Sequence, residues 1–157
     1  MTAQVADAYA YVEITVEASQ ERAFKTFIDL NSWWERSGHH IGEKEPVLVA
    51  MEPRKGGRLY ERDAAGRECD WGRVLAIEPP SRLLLDWQLT AAWTYDPNFH
   101  TDVDVRFVAE GEMRTRVELR HYVDAYGEKA ADLRAMLMRP AAWPSLLEAF
   151  AATAKSA

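Results

Sequence analysis

The stretch "TDVDVRFVAEGEMRTRVELRHYV", residues 101–123, constrains the fold more than any other part of the chain. Hydrophobic and charged residues alternate on both sides of "EGEM", the period-two pattern of a half-buried β-hairpin. With the turn centred on Glu112, Phe107 stands opposite Val117, Val105 opposite Leu119 and Val103 opposite His121. The same register sets Arg106 against Glu118 and Asp104 against Arg120, so apolar pairs share one face and opposite charges the other. A slip of one residue would turn every side chain over, so the pattern fixes the pairing. The apolar face needs cover from elsewhere in the chain.

The remaining segments supply more strands and little helix. In "YVEITVEAS", Val12, Ile14 and Val16 alternate with Glu13, Thr15 and Glu17, which predicts a half-buried strand. Ser19 then caps a helix that places Phe24, Phe27 and Ile28 at core spacing before Asn31 ends it. "NSWWERSGHH" reads as a helical turn or loop, and "PVLVAME" as a short strand. "KGGRLYERDAAGRECDWGRVLAIE" gives two strands around a turn at Ala65-Gly66, and Pro79-Pro80 forces a turn before "RLLLDWQL". Pro97 and Asn98 interrupt any ladder, so "AAWTYDPNFH" reads as an aromatic loop or a frayed strand end. The tail is helical from Tyr126, interrupted at Pro140, with Pro144 in the first turn of a last helix whose stripe is Trp143, Leu146, Leu147 and Phe150. A strand, a helix, about six antiparallel strands and a terminal helix make an α+β domain whose last helix covers the sheet.

Composition narrows the function. A chain of 157 residues fits one domain that buries roughly 70% of its unfolded surface. A net charge of −6, with arginines spread among acids, argues against a nucleic-acid partner. No apolar run reaches the ~20 residues of a membrane span, and "MTAQVADAYA" lacks the pattern of a signal peptide, so the expected location is cytoplasmic. The lone Cys69 allows no intrachain disulfide, and His39-His40 has no second ligand set at metal spacing, so no metal site is expected. There is no G-x-S-x-G elbow and no glycine-rich phosphate loop after a strand, and no cofactor is implied. Asp70, Asp86, Asp102 and Asp104 all read as solvent-facing.

"EPRKGGRLYE", "GRVLAIEPPSRLLLDW", "VDVRFVAEGEMRTRVELRH" and the terminal Trp-containing helix together resemble the START-like (SRPBCC) superfamily. Within it the chain looks like the bacterial proteins related to the C-terminal domain of the Hsp90 ATPase activator, across about residues 9–154 of a single domain spanning 1–157. The resemblance implies a helix-grip fold: a curved antiparallel sheet of about seven strands wrapped around a long C-terminal helix, often enclosing an apolar cavity. It also implies three functions: hydrophobic-ligand binding, aromatase/cyclase chemistry in the same cavity, or regulation of a chaperone ATPase. The chain has no room for the N-terminal domain of the eukaryotic activators, which weakens the chaperone reading. The leading expectation is a binder of a small hydrophobic molecule.

Alternation assigns the interior. Asp86 and Gln88 point to solvent, so Leu83, Leu85, Trp87 and Leu89 point in; Gly72, Val74 and Ala76 also point in, leaving Trp71 outward or at the rim. The expected cavity wall is Leu85, Trp87, Val105, Phe107, Leu119, His121, Trp143 and Phe150. Trp87 either packs as core or lines the pocket. His121 is either a hydrogen-bonded structural residue or a group that orients a ligand or moves a proton. Trp33, Trp34, Trp93, Tyr95 and Phe99, five aromatics in two loop segments, form the expected cavity mouth: a plug, a lid or a partner surface. His39, His40 and His100 are expected at the surface.

Overall fold

Strands β6 (Thr101–Gly111) and β7 (Arg114–Tyr122) pair in the register the alternation demands: Val103 with His121, Val105 with Leu119, Phe107 with Val117 and Asp104 with Arg120. A bulge between Ala109 and Gly111 leads into the turn at Glu112-Met113. The charged face is wired differently from the cross-strand expectation. Asp104 is buried and binds Arg82 at 3.2 Å and Arg106 at 3.3 Å, while Arg120 approaches Glu118 at 3.6 Å. Asp104 reaches Arg82 because β5 (Arg82–Trp87) flanks β6 on its other side, with Leu84 opposite Asp104.

These strands belong to a seven-stranded antiparallel sheet in the order β1-β7-β6-β5-β4-β3-β2, where β1 is Tyr9–Val16, β2 Leu48–Met51, β3 Arg58–Arg62 and β4 Glu68–Glu78. The sheet curls into a half-barrel around the last helix. The structure is a computed structural model and describes residues 8–155. Most of the opening stretch read for a signal peptide lies outside the described residues.

Among the described residues, three α-helices complete the fold. Helix α1 (Gln20–Ile28) is capped by Ser19, whose Oγ accepts from Arg22 N at 3.2 Å, and it buries Ala23, Phe24 and Phe27. Helix α2 (Ala130–Leu137) follows a 3-10 segment at Asp124–Lys129. Helix α3 (Trp143–Lys155) has 13 residues and buries the predicted stripe of Trp143, Leu146, Leu147 and Phe150. The half of the core beneath α3 is aromatic: Phe27 packs edge-on to Phe107 at 5.6 Å and to Phe150 at 5.2 Å between ring centroids.

Strand β4 departs from simple alternation twice. Leu59 pairs with Gly72 and Tyr60 with Asp70, so Trp71 is an extra residue in a bulge. The bulge turns its side chain in beside Gly72, and Trp71 is 1% exposed rather than at the rim. A second irregularity at Leu75 shifts the phase again: Val74 opposes Leu85, but Ile77, not Ala76, opposes the inward Leu83. Gly72 and Val74 therefore lie on the predicted inner face and Ala76 does not.

Candidate functional site

Alternation along β5 brings Leu83, Leu85 and Trp87 inward, and all three are buried. The bulge in β4 adds Trp71 beside Trp87, with ring centroids 5.8 Å apart. Trp34 comes from the segment after the 3-10 turn Leu30–Ser32, and Trp143 from the first residue of α3. Trp34 lies 5.1 Å from Trp71 and 5.9 Å from Trp143, and Trp143 lies 5.4 Å from Trp87. These four indoles line a cavity of about 460 Å³ at one end of the sheet. Loop residues His39, His40 and Ile41 form one side, and Met136, Leu137, Arg139, Ala141 and Ala142, at the junction of α2 and α3, contribute the other. The two sides are tied together where His39 Nε2 donates to Ala141 O at 2.8 Å.

The indole N–H groups are not equally committed. Trp34 Nε1 donates to His39 O at 3.0 Å, Trp71 Nε1 to Glu61 Oε1 at 2.8 Å and Trp143 Nε1 to His121 Nδ1 at 3.1 Å. Trp87 Nε1 is buried and has no hydrogen-bond partner among the described residues.

His121 lies behind the Trp87 and Trp143 rings and is fully buried. Trp143 donates to Nδ1, so the proton of the neutral ring sits on Nε2 and points to Thr101 Oγ1 at 3.2 Å. Thr101 in turn donates to Trp87 O at 2.7 Å. Burial pushes the imidazole down to about 3. Both ring nitrogens are engaged within the core, and His121 is not among the residues that line the cavity.

The other predicted positions divide clearly. Trp87 and Trp143 line the cavity, whereas Leu85, Val105, Phe107, Leu119 and Phe150 sit in the core beneath it. The five mouth aromatics do not converge. Trp34 is in the cavity wall, and Trp33 packs on Phe27 and Phe150 with its N–H on Phe27 O at 3.1 Å. Trp93 stands at the rim, 38% exposed; Tyr95 bridges back to Leu89; and Phe99 packs on Tyr126 at 5.1 Å. His39 and His40 are half-buried rather than at the surface, while His100 is exposed and bonds Asp86 Oδ2 at 2.7 Å. Asp86 and Gln88 are themselves buried, against the solvent-facing expectation, because the segment after Trp93 folds over them: Gln88 Nε2 donates to Pro97 O at 3.0 Å.

Glu61 is the residue sequence reasoning missed. It follows Leu59 by two on β3, shares its inward face and is 2% exposed. Its carboxylate accepts from Trp71 Nε1, from Ile41 N at 2.7 Å and from Gly42 N at 3.2 Å. His40 Nδ1 lies 4.0 Å from Glu61 Oε2 and donates to Gly42 O at 2.9 Å. The available signal was the alternation Leu59-Tyr60-Glu61. Among the described residues no three His, Cys, Asp or Glu side chains gather as a metal site, and no helix is long and apolar enough to cross a membrane.

A seven-stranded antiparallel sheet curled around a C-terminal helix, with an aromatic cavity at one end, defines a helix-grip protein. Within that class the chain belongs to the family described as Activator of Hsp90 ATPase homolog 1-like protein, whose model matches residues 17–155. It is similar to an anthrahydroquino-γ-pyrone synthase, Txn09, solved with SUM: 35% identity, 92% of this chain and 96% of that one, TM-score 0.63. It is also similar to CalC, a self-sacrificing resistance protein from Micromonospora echinospora: 30% identity, 94% of both chains, TM-score 0.68. The Aha1 dimer from Colwellia psychrerythraea shares the fold at 16% identity, 94% and 96% coverage and TM-score 0.59. No curated protein sequence matches the chain significantly.

Proposed function

We propose that the protein binds a small, flat, largely apolar molecule in the four-tryptophan cavity, with the Trp87 N–H orienting it. The observation that carries this reading is the uneven commitment of the indoles: three N–H groups are bonded within the protein and that of Trp87 is not. A buried donor without a partner costs about 1–3 kcal/mol, which a carbonyl oxygen on a guest would offset. A volume of about 460 Å³ suits a small molecule, and indole faces favour aromatic rings. The similarity to a synthase named for a fused aromatic pyrone supports the same ligand class. An acidic chain with one cysteine fits the cytoplasm as its place of action.

Tryptophan fluorescence with 1-hydroxyanthraquinone as the guest tests this reading. Saturable quenching is expected for the wild-type protein. Trp87→Phe keeps an aromatic ring, removes the donor and should weaken binding about tenfold, the equivalent of one hydrogen bond. Equal affinity in the two proteins would remove Trp87 from the reading, and the absence of saturable quenching would overturn it.

A further inference from the structure

We propose, resting on the reading that the cavity takes a flat apolar molecule, that His40 acts there as a general base and that Glu61 is its positioning residue. His40 lines the cavity from the loop side. Its Nδ1 lies 2.9 Å from Gly42 O, and a carbonyl only accepts, so Nδ1 carries the proton and Nε2 is the basic nitrogen. Nε2 has no hydrogen-bond partner among the described residues, whereas His121 spends both nitrogens on the core. The Glu61 carboxylate stands 4.0 Å behind Nδ1, with side-chain exposures of 19% for His40 and 3% for Glu61.

Three N–H groups fix that carboxylate, two of them from the loop that carries His40. Gly42 permits the approach, since a Cβ there would lie 3.0 Å from Glu61 Oε2. The same carboxylate thus sets the Trp71 ring and the imidazole on one wall. A carboxylate beside a tautomer-fixed imidazole stabilises the imidazolium formed when Nε2 takes a proton.

The other titratable groups nearby do not compete. His39 gives Nε2–H to Ala141 O and keeps Nδ1 buried; Arg139 lines the opposite side. Cys69, close to Gly42, has its thiol pushed up by burial and stays protonated. The step assigned to the site is proton abstraction from an acidic C–H of the bound guest. The Nε2 lone pair takes the proton, and the C–H electron pair moves onto the guest's adjacent electron-withdrawing group. The proton is then returned to product or solvent, so no redox partner is involved.

Ring opening of 5-nitrobenzisoxazole isolates this step. The base removes the C3 proton, the C–H electrons form the nitrile, the N–O bond breaks and its electrons leave as a coloured phenolate. The wild-type protein should open the ring with saturation kinetics. His40→Gln should lose at least tenfold in kcat while still binding 1-hydroxyanthraquinone. Glu61→Gln, which can still accept the Trp71 N–H, should lose about tenfold in kcat with KM unchanged, a split that loosened packing alone would not give. Wild-type turnover in His40→Gln would overturn the proposal. Anthraquinone binding without ring opening would overturn it and leave the binding reading standing; no binding and no turnover would overturn both.

Discussion

A neutral imidazole at position 121 satisfies two of its neighbours, accepting from Trp143 Nε1 and donating toward Thr101 Oγ1. Replacing it with phenylalanine fills similar space but strands the Trp143 N–H in the core. His121→Phe should lower stability by about 1–3 kcal/mol and leave anthraquinone affinity unchanged. The pH dependence has a definite sign. An unfolded histidine takes up its proton near pH 6.5, whereas burial holds folded His121 neutral down to about 3. Above pH 6.5 the residue adds no slope. Below it the unfolded chain holds the extra proton, and stability falls by about 1.4 kcal/mol per pH unit towards the folded value. Urea unfolding at pH 7 and pH 5 should show about 2 kcal/mol lost through this residue in the wild type, and a correspondingly smaller loss in His121→Phe. Equal losses would show that His121 is not the group responsible.

Strand β4 sets the shape of the cavity through one close approach. A Cβ on Gly72 would lie 1.8 Å from the Asp86 carbonyl oxygen, a backbone atom that cannot move aside. Gly72→Ala should therefore cost about 3 kcal/mol or more, the upper range of overpacking, and disturb the tryptophan wall with it. Gly111→Ala is the control, because the nearest contact there is Arg114 Cβ at an ordinary 3.8 Å; it should stay within about 0.5 kcal/mol. Chemical denaturation of both variants checks the contrast. The same strand shows what was legible in the sequence. The β6-β7 hairpin could be read residue by residue because its alternation runs through nearly the whole pairing. In β4 two irregularities break the count, so alternation alone points Trp71 outward or to the rim and Ala76 inward. The one local clue was a glycine inside a strand, which marks a bulge or a close backbone approach. Glu61 escaped for another reason: its compensation comes partly from backbone N–H groups about 20 residues away, at Ile41 and Gly42. No local periodicity encodes that distance.

Across the whole molecule the aromatic interior is continuous but unequal at its two ends. Trp33 and Trp34, adjacent in sequence with ring centroids 5.6 Å apart, join a phenylalanine cluster to the tryptophan cavity. Helix α3 spans both ends: Phe150 packs on Trp33 and Trp143 on Trp34, and seven residues of helix separate the two contacts by about 10 Å. Stability and binding should therefore respond differently to truncations at the two ends. Phe150→Ala removes a fully buried ring from the closed end and should cost about 3–5 kcal/mol, lowering Tm by roughly 10 °C. Its affinity for 1-hydroxyanthraquinone, measured well below that Tm, should stay within about twofold of wild type. Trp34→Ala removes a wall of the cavity and should cost both stability and more than tenfold in affinity. Ligand-dependent melting joins the two measurements. A guest at 100 times its Kd adds about 2.7 kcal/mol to any protein that binds it. Phe150→Ala should keep the resulting rise in Tm, and Trp34→Ala should lose most of it. The reverse pattern, with the rise lost in Phe150→Ala and kept in Trp34→Ala, would move the binding site from the tryptophan end to the core beneath α3.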